Sequence, residues 1–242
     1  MVGTKKLAIG LGTGIVAAGL GAAIWSTAST TSSASGTDQN SAMTPAQSDL
    51  LAHARFNDYQ NGVSAIDAEI PVSGQEFTLT GRVDWQNHLG YATLTSAQQA
   101  GGTELLQWTP NGIAVRGNWT GPLPATPPAD GWTVRAWQQG ADLDTALQLI
   151  LDLGADHPEN AQSLQQSGAE VLQNATLGGE HVTVFAGPPE TQGGTDSHTR
   201  YWIADDGTLR RFEALIDGST TWTEVDIAPG PAPAVPQIPG MQ

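Results

Sequence analysis

The chain has 242 residues, with 24 acidic side chains against nine basic ones, a net charge of −15 and no cysteine. The missing cysteine excludes disulfides, thiolate chemistry and a lipid-modified N-terminal cysteine. The acidic excess argues against a nucleic-acid partner and against electrostatic docking on anionic lipid, and reads most simply as solubility and mutual repulsion.

Residues 7–25 (LAIGLGTGIVAAGLGAAIW) are uncharged and follow Lys5 and Lys6, the only two lysines. A helix needs about 20 apolar residues to cross the hydrocarbon core, and flanking lysines keep the N-terminus inside. Residues 1–25 therefore read as a transmembrane signal-anchor. A signal peptide cut after Ser26-Thr27-Ala28 is the alternative. Either reading exports the rest, to the outer side of the cell membrane or into the medium. Residues 26–43 are rich in Ser and Thr and read as a flexible tether.

The exported domain is expected at 44–228. Thr44-Pro45 is an N-cap followed by Pro at the first helical position. Leu50, Leu51, Ala54 and Tyr59 form the apolar face of that helix, and Asn61-Gly62 ends it. Period-two alternation then predicts strands at 66–72 and 77–85, joined at Ser73-Gly74. Further strands are expected at 89–95, 105–109, 113–119 and 132–137, with a Pro-rich loop at 121–131. From 142 to 153 the spacing becomes helical, with Leu143, Ala146, Leu147, Ile150 and Leu151 on one face and Asp142 as N-cap. A short helix opens at Pro158-Glu159. Strands at 169–176, 181–186, 198–204, 208–216 and 220–227 follow, and 229–242 is a Pro-rich, polyproline-like tail. The fold class is α+β: a curved, mostly antiparallel sheet, or half-barrel, wrapped over a few helices and preceded by an N-terminal membrane helix.

The helix DLDTALQLILDL, the segment GGEHVTVFAG and the run RYWIADDGTLRRFEALI…TTWTEVDI before VPQIPG resemble the mycobacterial LppX/LprG-type lipoproteins, within the LolA-like group. Tyr201-Trp202-Ile203, Asp206-Gly207 and Leu209-Arg210-Arg211-Phe212 carry the pattern. The resemblance implies a half-barrel that holds lipid tails in an apolar cavity. The lipid-anchored cysteine of that family is absent, and the leader would replace it.

Reactive groups are sparse. His53, His88, His157, His181 and His198 show no metal-ligand spacing, no G-x-S-x-G elbow occurs, and Asp205-Asp206-Gly207 reads as a turn. No catalytic residue, metal or cofactor is expected. Seven tryptophans lie beyond the leader. At strand positions they read as core, while Trp119 and Trp132 are the ones expected to be exposed. The leading expectation is a non-enzymatic module that binds a lipid acyl chain or another apolar ligand. Phe77, Leu79, Val83, Leu147, Ile150 and Leu151 would line its cavity, with a closed core as the competing reading for the same residues. A cell-surface protein-interaction module and a Trp-based carbohydrate-binding domain are the alternatives.

Overall fold

The computed structural model describes residues 41–96, 102–190 and 196–241. The leader and the tether up to residue 40 lie outside the described residues. Among those described, no helix is long and apolar enough to cross a membrane.

The first half runs β1 (Ser41–Ala42), α1 (Pro45–Asn61), β2 (Val63–Val72), β3 (Gln75–Asp84), β4 (Leu89–Ser96), β5 (Thr103–Thr109), β6 (Gly112–Trp119) and β7 (Thr133–Arg135). Two helices follow, α2 (Asp142–Leu151) and α3 (Ala161–Gln166). The second half is β8 (Glu170–Leu177), β9 (Glu180–Ala186), β10 (Thr199–Ala204), β11 (Leu209–Ala214) and β12 (Thr223–Ile227). All the described strands join one large, open, curved antiparallel sheet in the order β1-β8-β9-β10-β11-β12-β2-β3-β4-β5-β6-β7.

Pairing of β12 with β2 makes the sheet continuous. Val225 lies opposite Ala68 and Ile227 opposite Ile66. Two meanders, each built from local hairpins, thereby become two wings of one surface. The β2–β3 connection is the expected tight turn: Ser73 and Gly74 both take positive φ (49° and 80°), which suits the right-handed twist of the flanking strands.

Alternation assigns the faces. Ile66, Ala68, Ile70, Leu79, Val83, Ala92, Leu94, Leu106 and Trp108 turn to the inner face and share one buried cluster with α1 and α2. Close packing here requires Gly90, because a Cβ at that position would lie 2.1 Å from the Trp108 ring. Trp85 and Trp108 are fully buried; Trp108 sits in β5 as expected, whereas Trp85 falls in the turn just after β3 instead of inside the strand.

Helix α1 starts with a complete capping box. The Thr44 hydroxyl accepts the Gln47 N–H, and the Gln47 side-chain oxygen accepts the Thr44 N–H. Gly62, at φ 79°, ends it. Helix α2 departs from expectation at its start. Ala141 holds the N-cap position without a side-chain bond, and Asp142 is the first helical residue. Helix α3 opens later than Pro158, where the Asn160 side chain accepts the Ser163 N–H at 3.0 Å.

Order also begins before Thr44. Ser41 and Ala42 pair with Val171 and Glu170, and Met43 is buried. Apolar Met43 gives this end of the Ser/Thr-rich stretch a side chain worth burying. At the other end, residues 231–238 form neither helix nor strand, between a bend at 229–230 and a turn at 239–240, and the segment lies on the sheet rather than running extended throughout. Val235, Ile238 and Met241 are buried against its outer face.

Candidate functional site

The six residues expected to line a cavity are brought together. Leu79, Val83, Leu147 and Ile150 are 0% exposed, Leu151 is 3%, and Phe77 is partly buried at the margin of the same cluster. Helix α2 lies on the inner face and plugs it.

What holds α2 there is a short set of side-chain bonds. The Trp108 indole N–H donates to the Leu147 carbonyl at 3.1 Å. Arg135, at the end of β7, grips Asp144 with two guanidinium N–H bonds of 2.6 Å each. The Gln138 N–H donates to the same carboxylate at 2.7 Å. Burial alone would raise the Asp144 carboxyl, but Arg135 and the Gln138 N–H outweigh it and hold it below the usual carboxylate range. Asp144 therefore neither caps the helix nor stands free; it is a latch closed on a strand residue. At the far end Gly154 backs onto Trp85, where a Cβ would come within 2.8 Å of the Trp85 Cβ.

An open groove of about 550 Å³ lies at the start of α2. The β2–β3 turn (Ser73, Gly74, Gln75), the β11–β12 loop (Asp217, Ser219) and Asp142 form its polar walls. Ile216 contributes an apolar side chain, and that residue also belongs to the buried inner cluster. A second groove of about 270 Å³ adjoins it around Glu69, Glu76, Trp222 and Glu224. Glu69 is raised from its ordinary value by partial burial and by Glu76 and Glu224. None of the six expected cavity residues lines either groove.

Other sequence candidates resolve locally. His181 meets Asp205 at 2.8 Å and His198 meets Glu190 at 2.8 Å, each an exposed pair. Asp206 accepts from Thr208 within the turn. Among the described residues no three His, Asp or Glu side chains converge as a metal-ligand set. Trp119 and Trp132 are half-buried rather than exposed. Their indole N–H groups donate to the Pro122 and Pro128 carbonyls at 3.1 and 2.8 Å, because the Pro-rich loop folds back beside them.

Sequence reasoning missed Asp58. This α1 residue is 1% exposed, and its Oδ2 has no hydrogen-bond partner. Burial pushes its carboxyl well above the ordinary value, despite the Leu209 N–H and nearby Arg210. Its helical position three residues before Asn61 carries no signal for this, since the burial comes from the distant β11 turn. Neighbouring Asn57 donates to the Gly207 carbonyl of that turn at 2.8 Å.

No family model matches the chain, and no curated protein matches it. Solved structures align over most of its length at low identity. An uncharacterized conserved protein from Thermus thermophilus is 10% identical over 76% of this chain and 85% of its own, with a TM-score of 0.39. A DUF1329 family protein from Desulfovibrio piger is 12% identical over 77% and 92%, with a TM-score of 0.31. A domain described as an outer membrane lipoprotein-sorting protein domain, from Vibrio parahaemolyticus, is 9% identical over 69% and 83%, with a TM-score of 0.19.

Proposed function

We propose that this is a non-enzymatic binding domain of the cell envelope, which takes an acyl chain or similar apolar ligand between its sheet and α2. One observation supports this most. Ile216 belongs both to the groove at the start of α2 and to the apolar inner cluster, so a polar mouth abuts the oily core at this one side chain. Helix α2, which begins at that groove, is held by side-chain bonds and packing, with no strand pairing to break. Burial contributes about 0.8 kcal/mol per CH₂, so a long chain offsets displacement of α2 with few polar contacts. Phe77, Leu79, Val83, Leu147, Ile150 and Leu151 would then line the chain. The sheet would act as the half-barrel that the LppX/LprG resemblance implies. The leader would hold the domain at the outer side of the cell membrane, which suits presenting or sensing a lipid better than ferrying one.

Native mass spectrometry of the full chain incubated with palmitate tests this. One bound ligand per chain is expected, with occupancy cut at least tenfold by Ile216→Trp. No uptake by the wild type or by Arg135→Ala would remove the reading. The second reading, a surface interaction module with a permanently closed core, is favoured by the complete burial of Leu79, Val83, Leu147 and Ile150. It predicts a protein partner recovered by crosslinking, and no lipid.

A further inference from the structure

The outer face of β4–β6 carries a second apolar surface, separate from the inner core and independent of any ligand there. Cross-strand register puts Arg82, Tyr91, Gln107, Ala114 and Val134 in one row across β3 to β7. Residues 232–241 cover the middle of this row. Their burial repeats every third residue. Val235, Ile238 and Met241 are buried and Ala232 is half-buried, while 233, 234, 236, 237, 239 and 240 are exposed. A polyproline helix has about three residues per turn and no internal hydrogen bonds, so such spacing over 232–238 places one face on the protein and leaves backbone groups free for side chains to read. A turn at Pro239-Gly240, with Gly240 at φ 90°, then brings Met241 onto the same surface.

The surface beneath is built to read them. Gln107 is 0% exposed. Its amide N–H donates to the Pro236 carbonyl at 2.9 Å, and its amide oxygen accepts the Ile238 N–H at 2.8 Å. Both polar ends of a buried side chain are thus spent on the backbone of one extended segment. Val235 sits with Leu89 and Tyr91, while Ile238 and Met241 sit on small Ala114, and Trp132 borders both contacts. The segment adds no strand to the sheet, whose β4, β5 and β6 are already paired on both sides. Its one backbone bond to a strand is at the segment's start, where the Ala232 N–H donates to the Val63 carbonyl of β2 at 2.8 Å.

We propose that this face is a docking site for polyproline-type peptides with apolar side chains three residues apart, occupied here in cis by the chain's own residues 232–241. A tethered segment competes at an effective concentration on the order of millimolar. The cis occupant therefore sets a threshold that an outside peptide must exceed.

The test uses full-length protein and a fluorescent peptide corresponding to residues 229–242, read by anisotropy. The wild type should bind it at least tenfold more weakly than Val235→Ser/Ile238→Ser, whose own segment has lost two anchors. A second release variant, Pro236→Gly/Pro239→Gly, loosens the polyproline form while keeping all three anchors, and should also gain binding. Gln107→Ala placed on either release variant should weaken the peptide at least tenfold, and a peptide with Ser in place of Ile238 and Met241 should not bind. Folded release variants that take up no peptide at millimolar concentration would overturn the proposal, as would binding indifferent to Gln107→Ala. Failure of both release variants to fold would also overturn it, because a segment essential to the fold is not exchangeable.

Discussion

Cutting the Arg135–Asp144 latch from its two sides should cost unequal amounts. Arg135→Ala strands a carboxylate whose side chain is 3% exposed, with only the Gln138 N–H left to it. Removing one partner of a buried pair costs about 3–5 kcal/mol. The Arg135 side chain is 32% exposed, so solvent screens part of the attraction and about 2–4 kcal/mol is expected. Asp144→Ala instead leaves a guanidinium that water can reach, at a cost of about 1–2 kcal/mol. The double variant should be less damaged than the sum of the two, with coupling of about 1–2 kcal/mol. In a domain of this size each kcal/mol moves Tm by about 2–4 °C. Urea and thermal unfolding of the four full-length proteins, followed by tryptophan fluorescence, measures all three quantities. Acid provides a second check. The folded carboxyl of Asp144 lies below its unfolded value, so the pair's contribution is complete above about pH 4 and is lost as pH falls through the lower folded value. Equal single-variant costs with no coupling would refute the latch, because α2 would then be held by packing alone.

Asp58→Asn keeps an acceptor for the Leu209 N–H and removes a buried acid, so it should stabilise the protein by about 1 kcal/mol at pH 7–8. The gain should shrink as pH falls through the raised folded value of the wild-type carboxyl, where protonation achieves the same neutrality; urea midpoints across pH show it. Gly90→Ala should cost about 3 kcal/mol or more, read as a fall in Tm, because the new methyl group would start 2.1 Å from the Trp108 ring. Tyr91 is pushed up to about 12 by burial, against the pull of Arg82 and Arg116. The fold therefore favours its neutral phenol, and stability should hold below about pH 10 and decline as pH rises toward 12. Tyr91→Phe should flatten that decline in alkaline unfolding curves.

Much of the architecture was legible because it is local. Alternation in IDAEIPV and EFTLTGRVD marked β2 and β3 and correctly sent Leu79 and Val83 inward. Thr44-Pro45 marked the start of α1, and the spacing of Leu143, Leu147 and Ile150 marked α2. What escaped was long-range. No periodicity reveals that β12 closes on β2, or that Asp58 is sealed beneath a turn some 150 residues away. In sequence Asp144 is simply one of two acids in a first turn, where they suit the helix dipole. Its true partner, Arg135, could be found only from the register that turns this residue to the inner face. The tail carried an unread signal: Ala232, Val235 and Ile238 recur at the polyproline period. As for the cavity, sequence placed six side chains on one shared inner surface, but hydrophobic pattern does not distinguish residues that line a space from residues that fill it.

Native-state hydrogen exchange on the full chain, with and without palmitate, tests the central claim most directly. The account predicts that amides of α2 exchange through openings that leave β2–β5 protected, and that palmitate alters exchange in α2 and around Ile216 while the distal strands stay unchanged. Protection of α2 equal to that of β2–β5, indifferent to palmitate, would contradict it and leave a sealed core.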